Sequence, residues 1–348
     1  MKKLVFSACA LTLTCGTAVA NNSDWDQLDN DVQALSANLQ DMEGGGPSFG
    51  GRIRAIYNNN SDADIGGFNI DNARMFMTGT TAAGIGYRLE TDFASGTGTL
   101  LDAYIDVSAG DTIDIRMGQF RGYVLSESQI DSGNLFFVDR SVNAAMFAGR
   151  QQGLAVTGDM DAFNWAITIQ DGSDDNADEL FYALHAGMDF MGAGTSMVEG
   201  AYGAGDDMTA SAGISYFDDG ATDDADGFAI EAGAQSSQFS ISANFVSYGD
   251  GGAGSNFDTN EAHVLGLGAG TGYLADSSVW SIMGTFALNE SWELGLRYQD
   301  LDGAAGDDII DFGANYYVDG HAMKYILNWT SADLGDTDLI RIGVNAAF

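Results

Sequence analysis

From Phe49 to the C-terminus, polar and apolar residues alternate in short segments separated by Gly- and Asp-rich connections. In residues 101–107, Leu101, Ala103, Ile105 and Val107 fall on one side of a pleated strand, and Asp102, Tyr104 and Asp106 fall on the other. After a turn at Ser108-Ala109-Gly110-Asp111, Ile113, Ile115 and Met117 oppose Asp114 and Arg116, so the two segments read as a hairpin. Arg52 and Arg54 oppose Ile53, Ala55 and Tyr57; Arg74 opposes Ala73, Met75 and Met77; Arg88, Glu90 and Asp92 oppose Tyr87, Leu89, Thr91 and Phe93. A soluble sandwich could use the same alternation, so the remainder of the chain has to decide what the apolar face meets.

Segments of this kind recur to the end: Phe163, Trp165, Ile167 and Ile169; Phe228, Ile230, Ala232 and Ala234; Trp292, Leu294, Leu296 and Tyr298 opposite Glu293 and Arg297; Ile340, Ile342, Val344, Ala346 and Phe348 opposite Arg341 and Asn345. Aromatic residues gather near segment ends, and no linker divides the run into domains. Connections are tight at 158–161, 235–238 and 289–291, and long at 58–67, 171–178, 218–227 and 248–261. This is the dyad pattern of an all-β, transmembrane antiparallel β-barrel over 44–348. The segments number about sixteen to eighteen, blurred at 192–226 and 262–278; with both ends on one side the number is even, and sixteen is expected. An arginine on lipid near mid-membrane would cost about 2–4 kcal/mol. The expected pore-lining set is therefore Arg52, Arg54, Arg74, Arg88, Glu90, Asp92, Asp102, Asp106, Asp114 and Arg116.

The N-terminus places this barrel. Lys2-Lys3, an apolar run from Leu4 to Leu13 and Ala18-Val19-Ala20 read as a secretory signal peptide over 1–20. Its removal takes away Cys9 and Cys15, and with them disulfides, thiolate metal sites and cysteine nucleophiles. Behind it, Trp25, Leu28, Val32, Leu35, Leu39 and Met42 form a heptad seam over 21–43, in a short helix ended by Gly44-Gly45-Gly46-Pro47. That seam fits either a periplasmic coiled coil between subunits or a helix lying on its own domain. The bacterial outer membrane follows as the location, with both termini in the periplasm.

Loss of Lys2 and Lys3 leaves 11 basic residues of the 13 against 50 acids, and the net charge moves from −37 to −39. Nucleic acid is excluded as a partner on that balance. No Lys or Arg occurs from Gln152 to Trp292.

Alternation stops between Gly122 and Gly149, yet Leu125, Ile130, Leu135, Phe136, Phe137, Val138, Met146 and Phe147 are apolar. An exposed loop has little use for so many, so the segment is expected to fold against the inner wall, with Glu127, Asp131, Asp139, Arg140 and Arg150 as constriction residues. A packed external loop is the alternative.

Within this region the order of motifs resembles the phosphate-selective porin O and P family: residues 101–107, then Ile115-Arg116-Met117-Gly118-Gln119-Phe120-Arg121, Val138-Asp139-Arg140-Ser141, and Phe147-Ala148-Gly149-Arg150 with Gly153. The resemblance implies a sixteen-stranded homotrimeric channel with an inward-folded third loop and an arginine-lined lumen. Family anion channels also use lysines at the mouth and constriction, whereas this chain, without its leader, has only Lys324. A diffusion channel for ions and small hydrophilic solutes with mild cation preference at its acidic mouths is the resulting expectation. Phe348 on an amphipathic last strand resembles the signal read by the outer-membrane barrel assembly machinery.

The acidic connections, including Asp218, Asp219, Asp223 and Asp224, could hold divalent cations that bridge to lipopolysaccharide phosphates, or could form a solvated rim; none has EF-hand spacing. No other cofactor is implied. His185, His263 and His321 lack metal-ligand spacing, and no nucleophile cluster or phosphate loop appears, so no enzyme is expected. A structural barrel or adhesin working through its acidic loops is the main alternative. A soluble calcium-binding β-roll would need nonapeptide repeats that the chain does not show.

Overall fold

Rows of alternate apolar residues can sit in hydrocarbon only if every backbone N–H and C=O is paired, and a sheet closed on itself meets that demand. The computed structural model describes residues 46–60, 65–172, 180–220, 225–250, 274, 276–301, 307–332 and 337–348. The signal peptide at 1–20 and the heptad seam at 21–43 lie outside these residues.

Sixteen antiparallel strands form a closed barrel, each hydrogen-bonded to its sequence neighbours. They are β1 (Ser48–Asn60), β2 (Ile65–Thr80), β3 (Gly86–Asp92), β4 (Thr99–Ser108), β5 (Ile113–Phe120), β6 (Gln151–Met160), β7 (Phe163–Asp171) and β8 (Leu180–Met191). The second half comprises β9 (Thr209–Asp219), β10 (Asp226–Gln235), β11 (Phe239–Tyr248), β12 (Ser278–Ala287), β13 (Trp292–Leu301), β14 (Asp307–Asp319), β15 (Met323–Ala332) and β16 (Thr337–Ala347). Closure comes from β1 against β16, with Ile53 opposite Ala346, Ala55 opposite Val344 and Tyr57 opposite Ile342. Gly51 and Phe348 exchange backbone hydrogen bonds at 2.9 and 3.0 Å, so both ends of the barrel sequence meet at one rim.

At that rim the connections are short: 81–85, 109–112, 161–162, 236–238, 288–291 and 320–322. One is not: β8 joins β9 through residues 192–208. The opposite rim carries the longer connections, including the segment between β5 and β6. Several strands run further than their apolar rows. Asn58, Asn59 and Asn60 continue the ladder opposite Arg341, Ile340 and Leu339, so the connection expected at 58–67 shrinks to 61–64.

Side-chain rows divide as the alternation requires. Ile53, Ile105, Met117, Ile167, Leu184, Ile214, Ile241, Leu296 and Ile342 are exposed on the outside, while Arg52, Arg54, Arg297 and Arg341 are buried inside. Aromatic residues form two outer groups. Trp280 and Tyr298, 5.1 Å between ring centres, lie toward the long-loop rim; Trp292, Tyr316 and Tyr325 lie toward the short-turn rim. That placement suits the two membrane interfaces.

The interior departs from the uniformly charged lumen that the sequence suggests. Phe181, Ala183, Phe217, Ala229, Val246, Val279, Leu301 and Ile309 face inward and form one apolar cluster with Val124, Leu125, Val142, Met146 and Phe147 of the β5–β6 connection. Parity sets them on the face opposite the lipid-facing row, but what covers them is invisible in a strand read alone, because that partner is distant in sequence.

Because Leu296 lies in the middle of the outer apolar belt, Leu296→Arg should destabilise the folded barrel by about 2–4 kcal/mol, read as a shift of the denaturant midpoint in detergent or lipid; Leu296→Met should leave the midpoint near wild type.

Candidate channel lumen

The β5–β6 connection is an ordered plug. It contains α1 (Ser126–Gln129), a 3-10 turn (Ser132–Asn134) and α2 (Val142–Met146), whose N-terminus is capped by the Ser141 hydroxyl accepting from the Ala144 amide. Arg121 at its root donates to the carbonyls of Ala148, Gln129 and Ile130, and Arg140 donates to those of Glu127 and Ile130. These two guanidinium groups satisfy carbonyls that an irregular buried backbone would otherwise leave orphaned.

Inward-facing polar residues of the wall then hold the plug. Asn328 accepts from the Val138 amide at 3.1 Å, Gln299 accepts from the Val142 amide at 2.7 Å, and Asn315 donates to the Phe136 carbonyl at 2.8 Å. Asp139 is ion-paired with Arg341, and its carbonyl accepts from Arg297 at 3.0 Å. Arg297 also pairs with Asp311 at 2.8 Å, and Thr330 donates to the same carboxylate at 2.5 Å. The Phe136 ring lies on a pad made by Gly295 and Gly313, which are paired across β13 and β14; a Cβ at either would stand 2.4 or 2.7 Å from that ring. Asp139 and Arg140, expected at the constriction, are therefore buried in the seam between loop and wall rather than turned to open space.

Strands β1–β5 carry a ladder of ion pairs. Arg52 pairs with Asp131 and donates to Ser132 Oγ at 2.7 Å. A β-bulge at Asp71 sets that carboxylate against Arg54 Nε at 2.5 Å. Arg74 reaches Asp92 at 2.8 Å and Glu90 at 3.6 Å; Arg88 reaches Glu90 at 2.5 Å and Asp102 at 3.4 Å; Arg150 reaches Asp102 at 3.3 Å. Arg116 makes a bidentate pair with Asp106 at 2.8 and 2.9 Å and lies 3.8 Å from the centre of the Tyr104 ring. Burial works to raise the Asp131 carboxyl, but the Arg52 guanidinium and the Gly133 amide outweigh it and hold it well below the usual carboxylate range.

Arg52, Arg54 and Arg74 are covered, whereas Arg88, Asp102, Arg116, Asp131 and Arg150 border a cavity of about 190 Å³ with Arg121. Asp114 lies at the short-turn rim, exposed, and accepts from Ser108 Oγ at 2.6 Å.

A second cavity, of about 340 Å³, lies on the other side of the plug between α1, residues 193–200 and the walls of β6–β11. Glu127, Asp159, Asp189, Glu199 and Glu231 line it, and no Lys or Arg is among its described lining residues. Its outer strands come from the stretch without basic residues. Glu127 accepts from the Ser141 amide and hydroxyl and from Asn244, and Glu231 accepts from the Ser126 amide and hydroxyl. Burial, with Glu127 beside it, pushes the Glu199 carboxyl up to about 7 against the opposing pull of Arg297.

Reasoning from local pattern missed Arg121, Glu199, Glu231, Arg297, Arg341 and the Gly295–Gly313 pad. Arg297 and Arg341 stand in inward rows and could have been selected by that signal. Glu199 lies in a non-alternating segment and offers none. Asp218 and Asp219 end β9 and Asp223 and Asp224 lie outside the described residues; among the described residues no group of His, Cys, Asp or Glu is placed to hold a metal.

A closed barrel with an apolar outer belt, a polar interior and a loop packed into the bore is the architecture of an outer-membrane porin. The model of the phosphate-selective porin O and P family matches residues 48–220, and through that segment the chain is similar to the family. Among solved structures, it is similar to a loop-deletion mutant of OmpT, an outer membrane protein of Vibrio cholerae, at 12% identity and TM-score 0.60, covering 88% of this chain and all of that one. A multiple mutant of the Rhodopseudomonas blastica porin is similar at 15% identity and TM-score 0.58, covering 87% of this chain and all of that one. At such identities these likenesses concern the fold. No curated protein matches the chain in sequence. Family and fold together make the protein an outer-membrane channel for small solutes rather than an enzyme.

Asp139 and Arg341 are both buried, so Arg341→Met strands a carboxylate and should cost the docked loop about 3–5 kcal/mol. The expected result is proteolytic cleavage within 122–149 and noisier single-channel currents while the barrel stays folded, with Asp139→Asn added to Arg341→Met restoring much of the protection.

Proposed function

We propose that the protein is a passive, water-filled diffusion channel for ions and small hydrophilic solutes, assembled as a homotrimer, with a mild preference for cations. The observation that carries this reading is the cavity lined by Glu127, Asp159, Asp189, Glu199 and Glu231 without a described basic residue, while the opposite arginine wall is matched by its own carboxylates. Fields in a narrow bore follow nearby charge more than net charge. Glu199 faces Arg297, but Glu127, Asp159, Asp189 and Glu231 have no partner among the described ion pairs and lower the energy of a passing cation, whereas a paired arginine ladder offers an anion little net attraction.

In this reading the short-turn rim, with both ends of the barrel, faces the periplasm, and the long connections face outward. Phe348, 76% exposed at that rim, is available to the assembly machinery. The acidic connections meet lipopolysaccharide, with divalent cations as bridges, and the channel needs no cofactor and performs no catalysis. The leader at 1–20 is removed, and the heptad seam at 21–43 either joins subunits in the periplasm or lies on its own domain.

Reconstitution in a planar bilayer tests this. Stepwise openings in threes and a zero-current potential favouring potassium over chloride across a salt gradient are expected at neutral pH. Glu231→Gln combined with Asp189→Asn should move that potential toward zero, and Arg116→Gln should move it further toward potassium. A wild-type potential favouring chloride would overturn the cation preference.

A further inference from the structure

Residues 192–208 connect two adjacent antiparallel strands at the rim where other connections need only a few residues. A hairpin requires two to five. The additional backbone is not spread over the rim; it enters the barrel. Ala201 donates its amide to Glu293 Oε1 at 2.6 Å and Thr285 Oγ1 at 2.9 Å, and the Tyr202 ring stacks on Tyr317 at 3.7 Å between centres. Gln235 donates to the carbonyls of Val198 and Gly200 and accepts from Ser196. Gly200 takes φ +104 where a Cβ would stand 2.6 Å from the Glu293 carboxylate, so the turn that brings this segment inward depends on glycine.

The segment meets the β5–β6 plug inside the bore. The Glu199 amide donates to the Asn134 carbonyl at 3.0 Å, and Asn134 Nδ2 donates to the Met197 carbonyl at 3.3 Å. Glu199 Oε2 accepts from the amides of Phe136 and Phe137 at 2.6 and 3.2 Å, and Oε1 faces Arg297 at 3.7 Å. One buried carboxylate thus ties an element from the short-turn rim to the tip of an element from the long-loop rim. Thr195 to Gly200 also border the acidic cavity, which α1 of the plug lines with them, and Met197 is 51% exposed.

We propose that residues 192–208 are a second constriction element of this channel, and that Glu199 is the positioning residue that locks it to the plug. The inference rests on the channel reading. The two inward elements act as one partition, and the solute path runs between that partition and the walls of β6–β11. Channel width is then set from both rims, and shortening either element opens the bore.

The test joins conductance with a contact measurement that needs no current. Replacing residues 193–207 by Asn-Gly should raise single-channel conductance by about two-fold. Glu199→Ala, which leaves the Phe136 and Phe137 amides without their acceptor, should give frequent stepwise fluctuations between conductance levels. Glu199→Gln keeps an acceptor oxygen for the Phe136 and Phe137 amides and should suppress those fluctuations even as the loss of its charge moves the zero-current potential toward zero, a rescue of current stability that a loss of packing alone would not produce. Independently, Asn134→Cys with Met197→Cys should form a reductant-sensitive cross-link in the native trimer, seen as a gel mobility shift. Wild-type conductance in both the shortened variant and Glu199→Ala overturns the proposal, as does failure of the cross-link to form in folded protein. A silent wild-type bilayer counts against the channel reading instead, and the cross-link then decides whether the two elements meet.

Discussion

Everything in this molecule follows from the need to pair every backbone group of a sheet that faces hydrocarbon. An open edge in lipid would expose a row of unsatisfied donors and acceptors, so β1 must find β16, and because every neighbouring pair including that one is antiparallel, the strand number is even and both ends share a rim. The outer face is then committed to apolar residues, and chemical variety is confined to the interior and the rims.

The barrel consequently inverts the usual division between core and surface. Its compact apolar interior is not supplied by strands packing on strands; the plug between β5 and β6 lays Phe147, Met146 and Leu125 on Phe181, Phe217 and Val246 near one rim. Farther in, polar wall residues take over. Asn315, Gln299, Asn328 and Arg297 meet irregular loop backbone with directed hydrogen bonds, which fix a position where apolar contact would allow sliding. A loop held in this manner has a defined shape, and so does the passage beside it.

Charge is distributed with the same economy. All basic residues of the described barrel lie on β1–β6, β13, β15, β16 or the plug, and the sector from β7 to β12 carries none. Arginines on β1–β5 are matched in place by carboxylates, so the excess acid of the chain is felt where no guanidinium stands opposite. The large negative net charge is thus less informative about the bore than the arrangement of a few carboxylates around one cavity.

Period-two alternation determined the strands, their sidedness and the inward direction of Arg52, Arg74 and Arg116, because in a strand a side chain's face is fixed by position parity alone. The loss of alternation at 122–149, combined with its apolar content, marked the plug as a packed segment. Parity cannot say what covers an inward side chain. Phe181 and Phe217 become core, and Asp139 and Arg140 become anchors, only when residues far apart in sequence are brought together. Glu199 had no local signal at all, since its role is created by two irregular segments meeting inside a closed wall, and that encounter exists only in three dimensions.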